Sequence, residues 1–141
     1  RWGHGHGNTF PEEQIRVPLV LWLPGQPSKV VSYRTSHLQI PATLLEYLGV
    51  TTPSRQYSSA DPLHTKMPRS VVGEYDHMAI IDGQTKIGFP YTGADFFRYR
   101  VSDQSDHPLS RSRSAQVLSD SRGVVNAVVA ESMRFVHKPA S

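Results

Sequence analysis

No cysteine occurs among the 141 residues, so disulfides, thiolate zinc sites and cysteine nucleophiles are all excluded from this chain. Charge is sparse as well. Only 19% of residues are charged, and 15 Lys and Arg stand against 12 Asp and Glu. The small basic excess is not gathered anywhere: residues 1–70 hold seven basic and four acidic side chains, and residues 71–141 hold eight of each. Without a basic block, nucleic acid is not an expected partner.

Long apolar runs are missing too. The longest, residues 17–23, contains Pro18 and is far too short to cross a bilayer, so no membrane span is expected in this segment. The chain opens on Arg1 with neither an initiator methionine nor a basic-then-apolar leader, which suggests a piece of a longer protein. A Gly-x-Ser-x-Gly elbow, a Walker loop and a Gly-x-Gly-x-x-Gly turn are likewise absent. Serine hydrolase, phosphate-loop and dinucleotide chemistry are therefore not expected.

What is present is locally clustered. Residues 1–8 read RWGHGHGN, a Gly/His alternation in which the glycines disfavour helix and favour a loop. His4 and His6 are the candidate site residues. Two imidazoles two positions apart can share a divalent metal, one can donate as imidazolium to an anionic substrate oxygen, or both can be ordinary loop side chains. His37 falls in the first turn of a predicted helix, where capping or packing suits it better than catalysis. His64, His77, His107 and His137 lack a carboxylate at telling spacing and read as solvated surface.

Residues 15–23 (IRVPLVLWL) form a short continuous apolar run stopped by Pro24-Gly25, the pattern of a strand buried on both faces. Residues 29–33 suggest another short strand. Ser36 followed by Gln39 forms a capping box, and Ile40, Leu44, Leu45 and Leu48 share a helical stripe that ends at Gly49. Pro41 fits only near the start of that helix. Residues 51–69 are rich in Ser, Thr and Pro and read as a connection across the surface.

Short Val/Ile/Tyr/Phe runs then follow at 70–75, 77–81, 85–89 and 96–101, with Asp82-Gly83 as a hairpin signal. They predict a small antiparallel sheet. Residues 102–114 read as polar loop. A stripe of Val125, Val128, Val129, Met133 and Val136 predicts a terminal helix over about 120–136.

The order of these pieces resembles the closing part of the catalytic core in sulfatases, within the alkaline phosphatase superfamily. Arg16-Val17-Pro18-Leu19, Pro24-Gly25, Thr35, His37, Pro41, Thr43-Leu44-Leu45 and Leu48-Gly49-Val50 carry the likeness. Trp2-Gly3-His4 and the spacing that follows are most similar to inner-membrane sulfatase-like proteins of Gram-negative bacteria. One departure is Gln39, where the family often has Asp, which implies a lost structural hydrogen bond.

The resemblance implies an α/β fold: the final strand and helix of an alkaline-phosphatase-like sheet over 1–50, a connecting loop over 51–69, and a small antiparallel α+β C-terminal subdomain over 70–141. It implies a metal-dependent hydrolase or transferase acting on sulfate or phosphate esters, on the periplasmic face of the inner membrane, in a multi-pass parent. The alternative it implies is a non-enzymatic lipid-binding module in cardiolipin or lipopolysaccharide homeostasis.

The nucleophile and the main ligands of a divalent metal (zinc, calcium or manganese) are expected upstream, since no Asp precedes Asp61. The chain alone is expected to be inactive and to bind no metal. His6 or His4 is expected to contact a substrate oxygen, with Trp-Gly-His selecting His4 and the count back from Val17 selecting His6. Expected partners are the upstream polypeptide, lipid head groups that Arg111 and Arg113 can touch, and a second copy at an exposed sheet edge.

Overall fold

A computed structural model describes residues 10–74, 77–90 and 100–134. In chain order they form α1 (Glu12–Ile15), α2 (Gln39–Tyr47), a single 3-10 turn (Ser54–Gln56), β1 (Arg69–Gly73), β2 (His77–Asp82), β3 (Thr85–Pro90), β4 (Arg100–Asp103) and α3 (Arg111–Met133). The fold class is mixed α/β: a four-stranded antiparallel meander in the order β1-β2-β3-β4, followed by a C-terminal helix.

Alternation along the strands builds the core. Val71, Ile80, Ile87 and Val101 are cross-strand partners in one row, and Gly73, Met78 and Phe89 form the next. Both rows share a face, as the period of two requires. Val117 and Val125 of α3 close over it, with Leu109, Leu118, Val124 and Val128 at the margin. Phe89, Ile80 and Ile87 are almost wholly buried, and each contributes roughly 1.5–3 kcal/mol of transfer free energy. The hairpin between β2 and β3 is closed by Gly83 and Gln84. Gly83 sits at φ +53°, the positive value that the first central position of such a turn needs.

The terminal helix begins about nine residues before its expected start. Ser110 caps it, its hydroxyl accepting from the Arg113 backbone N–H at 3.3 Å, so the Ser/Arg stretch expected as loop forms the first turns. Its buried stripe is also displaced toward the N-terminus. Val117 and Val125 are buried, whereas Val129 and Met133 are more than 40% exposed. Val136 lies outside the described residues, as do positions 96–99 of the expected fourth strand.

The N-terminal third departs most from expectation. Ile15 ends the short helix α1, and residues 16–23 belong to no strand; Val20 is 92% and Trp22 80% exposed. Residues 29–33 are not a strand either. A strand buried on both faces needs neighbours on each edge, and none of the four described strands pairs with this run. The apolar stripe of α2 is similarly uncovered, with Leu48 73% exposed.

The ends of α2 follow the sequence. Gln39 Oε1 accepts from the Ser36 backbone N–H at 3.1 Å, which is one arm of the capping box. At the other end Gly49 sits at φ +83°, its N–H bonds to Glu46 and that of Val50 to Leu45, which is a Schellman motif. Pro41 occupies the first turn, where a missing N–H costs little.

Candidate functional site

His4 and His6 lie outside the described residues. The described structure begins four residues after His6, at Phe10, and there it is firmly held. Lys86, on the sheet face opposite α3, has a side chain only 6% exposed. Its ammonium donates to the Phe10 carbonyl at 2.6 Å and to Asp106 Oδ1 at 2.6 Å, and lies 3.1 Å from Glu12 Oε1. An ammonium has three protons, and here three oxygens meet it. Asp106 Oδ2 in turn accepts from the Glu12 backbone N–H at 3.1 Å.

The acceptor is itself fixed by a tight turn. Asp106 adopts φ +65°, a left-handed conformation that Asp tolerates better than most residues. Asp103 Oδ1 accepts from the backbone N–H groups of Ser105 (2.8 Å) and His107 (2.9 Å) and closes the turn. The His107 N–H chiefly, with the Ser105 N–H and the His107 imidazole assisting, holds the Asp103 carboxyl below the usual carboxylate range. Phe10 and Glu12 are thus bolted to β3 and to the turn after β4.

Lys86 is not legible in the sequence as a site residue. The available signal is a single cation in the apolar run TKIGF, at a position whose cross-strand neighbour Ile81 is buried.

A second constellation lies around Gln39, which is fully buried. Its Nε2 donates to the carbonyls of Pro62 (3.1 Å) and Thr65 (2.8 Å) while Oε1 accepts from Ser36. The expected loss of a hydrogen bond at this departure is therefore corrected: the amide makes three. Thr43 Oγ1 adds a bond from the Leu63 N–H at 2.8 Å, the Ser58 hydroxyl donates to the Leu38 carbonyl at 3.0 Å, and the Tyr33 hydroxyl donates to the Leu63 carbonyl at 2.8 Å. The Ser/Pro-rich connection is pinned onto the start of α2.

The remaining histidines separate. His37 is exposed in the lead-in to α2. His64 and His107 do have carboxylate partners, contrary to expectation: His64 Nε2 is 3.2 Å from Glu46, and His107 Nδ1 is 3.4 Å from Asp103 at i,i+4 spacing. Both imidazoles are well exposed, so these pairs are worth little. His77 ends up at the start of β2, and His137 lies outside the described residues.

Among the described residues no three His, Asp or Glu side chains converge as metal ligands, and no helix is long and apolar enough to cross a membrane. The described residues thus do not by themselves fit a metal centre.

A sulfatase family model matches residues 2–50, the stretch that contains both His4 and His6 and all of α2. Over 85 residues, 60% of the chain, the sequence is 31% identical to the inner membrane protein YejM of Salmonella typhimurium and, equally, to that of Salmonella typhi. The matched stretch spans 12% of the length of either relative.

Proposed function

We propose that this chain, which resembles a sulfatase over residues 2–50 and YejM over 85 residues, forms one wall of a metal-dependent site for sulfate or phosphate esters in a larger periplasmic domain. The observation that carries this reading is the family match across residues 2–50, since it covers the Gly/His stretch together with α2. In this account the nucleophile and the divalent metal belong to the upstream polypeptide, the metal supplying polarisation of the ester oxygens. This chain contributes an imidazolium, from His6 or His4, that donates a hydrogen bond to a substrate oxygen.

Two features of the described residues support that division of labour. The clamp of Lys86 on Phe10 and Glu12 fixes the chain four residues after His6, and a catalytic donor gains from a fixed position. The exposed apolar side chains of residues 17–23, with Leu48 of α2, offer a surface against which the upstream part of the domain packs. A second copy is the alternative occupant of that surface in the isolated chain.

Turnover of an aryl sulfate and an aryl phosphate by the complete protein, supplied with divalent metal, tests the proposal. Loss on changing His6→Ala or His4→Ala supports it and identifies the donor. Absence of turnover, with retained binding to cardiolipin or lipopolysaccharide, would replace it with the non-enzymatic lipid-binding reading.

A further inference from the structure

The segment between the apolar run and α2 meets the β2–β3 turn across an open cleft of about 500 Å³, lined among others by Ser32, Arg34, Lys66, Met67 and Gly83. Arg34 is half-buried and built into the fold. Its Nη1 donates to the Ile81 carbonyl at 2.7 Å and its Nη2 to the Gly83 carbonyl at 3.3 Å. Those two bonds leave three of the five guanidinium protons unused among the described residues. Carbonyl oxygens carry no formal charge, so the positive charge of Arg34 is oriented by them without being neutralised.

Lys66, which also lines the cleft, makes no hydrogen bond or ion pair among the described residues. The acid nearest in sequence to the turn, Asp82, pairs with Arg69 at 3.8 Å and does not line the cleft. A second cleft among the described residues is different in character, because two acids, Asp61 and Glu131, line it beside Arg55 and Arg134.

We infer that the Arg34–Lys66 cleft is a binding site for an oxyanion, a phosphate or sulfate group with room for the group esterified to it. The guanidinium presents a planar fork pre-set by two backbone bonds, the ammonium supplies a second point charge, and Ser32 offers a neutral hydroxyl. Pre-setting lowers the ordering cost of binding, and two cations against one oxyanion give charge-assisted hydrogen bonds. The inference stands on these residues alone and does not depend on ester chemistry at the Gly/His loop.

A free inorganic anion and an anionic lipid head group share this chemistry, and two measurements on the 141-residue chain distinguish them. Titration calorimetry with inorganic phosphate and sulfate reads the first. Co-sedimentation with phosphatidylglycerol-containing vesicles, against pure phosphatidylcholine, reads the second. Lys66→Glu is the leading variant, because Lys66 supports no bond among the described residues. Arg34→Gln is the second, and Arg122→Gln on the exposed side of α3 controls for net charge.

Binding in either assay that weakens about tenfold or more in Lys66→Glu and Arg34→Gln, and not in Arg122→Gln, supports the site and names its source. Absence of binding in both assays overturns it. Binding that survives Lys66→Glu, or that falls equally in Arg122→Gln, also overturns it.

Discussion

The ammonium of Lys86 lies 2.6 Å from the carbonyl oxygen of Phe10, 76 positions earlier in the chain. That contact joins the sheet of the C-terminal half to the first described residue after the Gly/His loop. With Glu12 and Asp106 it forms a cluster that holds one cation between two carboxylates, each about one-third exposed.

Replacing Lys86→Met leaves those carboxylates facing each other without their cation. Breaking a fully buried pair costs about 3–5 kcal/mol, and the partial exposure of both acids brings the expected loss here to about 2 kcal/mol. Urea denaturation measures it. Limited proteolysis supplies the local readout, with faster cleavage near residues 10–15 expected in the variant.

Gln39 is the second position where a single atom decides. Gln39→Glu keeps the size and the Oε1 acceptor but turns the Nε2 donor into an oxygen that faces the carbonyls of Pro62 and Thr65. A buried charge against two acceptors is expected to cost about 3 kcal/mol or more. Gln39→Asp is expected to destabilise as well, since it lacks both donor and reach. Thermal unfolding that shows Gln39→Asp as stable as the natural residue would refute the role given to this amide.

Much of the C-terminal half is legible in the sequence. Alternation places the strands to within a few residues at the described ends, because antiparallel hairpins obey local rules: a period of two and a turn residue with positive φ, met by Gly83. The start of α3 escapes sequence reasoning because Ser and Arg in its first turns suit an exposed helix and a loop equally well, and only the Ser110 cap separates them. The ends of α2 follow from Ser36, Gln39 and Gly49, whose capping bonds span only a few residues. Residues 15–23 fail for the opposite reason. Apolarity says that a segment must be covered and not by what, and no described strand covers this one. Lys86 is invisible in the sequence because its partners are 20, 74 and 76 positions away.

Gly123 offers an independent check on α3. It lies mid-helix, and a Cβ built there meets nothing within 4 Å. Gly123→Ala is therefore expected to stabilise the chain by about 0.5–1 kcal/mol through helix propensity alone. A loss of stability in urea titration would show that this stretch is not an exposed helix.

The turn at Asp103 gives a pH signature. Its carboxyl is held below the ordinary value of 3.8 in the folded chain, chiefly by the His107 backbone N–H. A carboxylate with a depressed folded-state pKa stabilises above its unfolded value, and that contribution disappears as pH falls through the folded one. The expected window is thus below about pH 4. Asp103→Asn is expected to lower the urea midpoint at neutral pH and to flatten its fall below about pH 4, relative to the natural chain.

The most direct measurement of the central proposal, that Lys86 serves ester chemistry at His6 or His4 by anchoring Phe10, is a double-mutant cycle on kcat in the complete protein, run with an aryl ester at a temperature where every variant is folded. If the claim is right, the more sensitive of His6→Ala and His4→Ala loses roughly 10–100-fold. Lys86→Met alone then loses less, and combining it with that histidine variant costs almost nothing further, because the positioning has no donor left to position. Losses that multiply independently, or full turnover in both histidine variants, would contradict it.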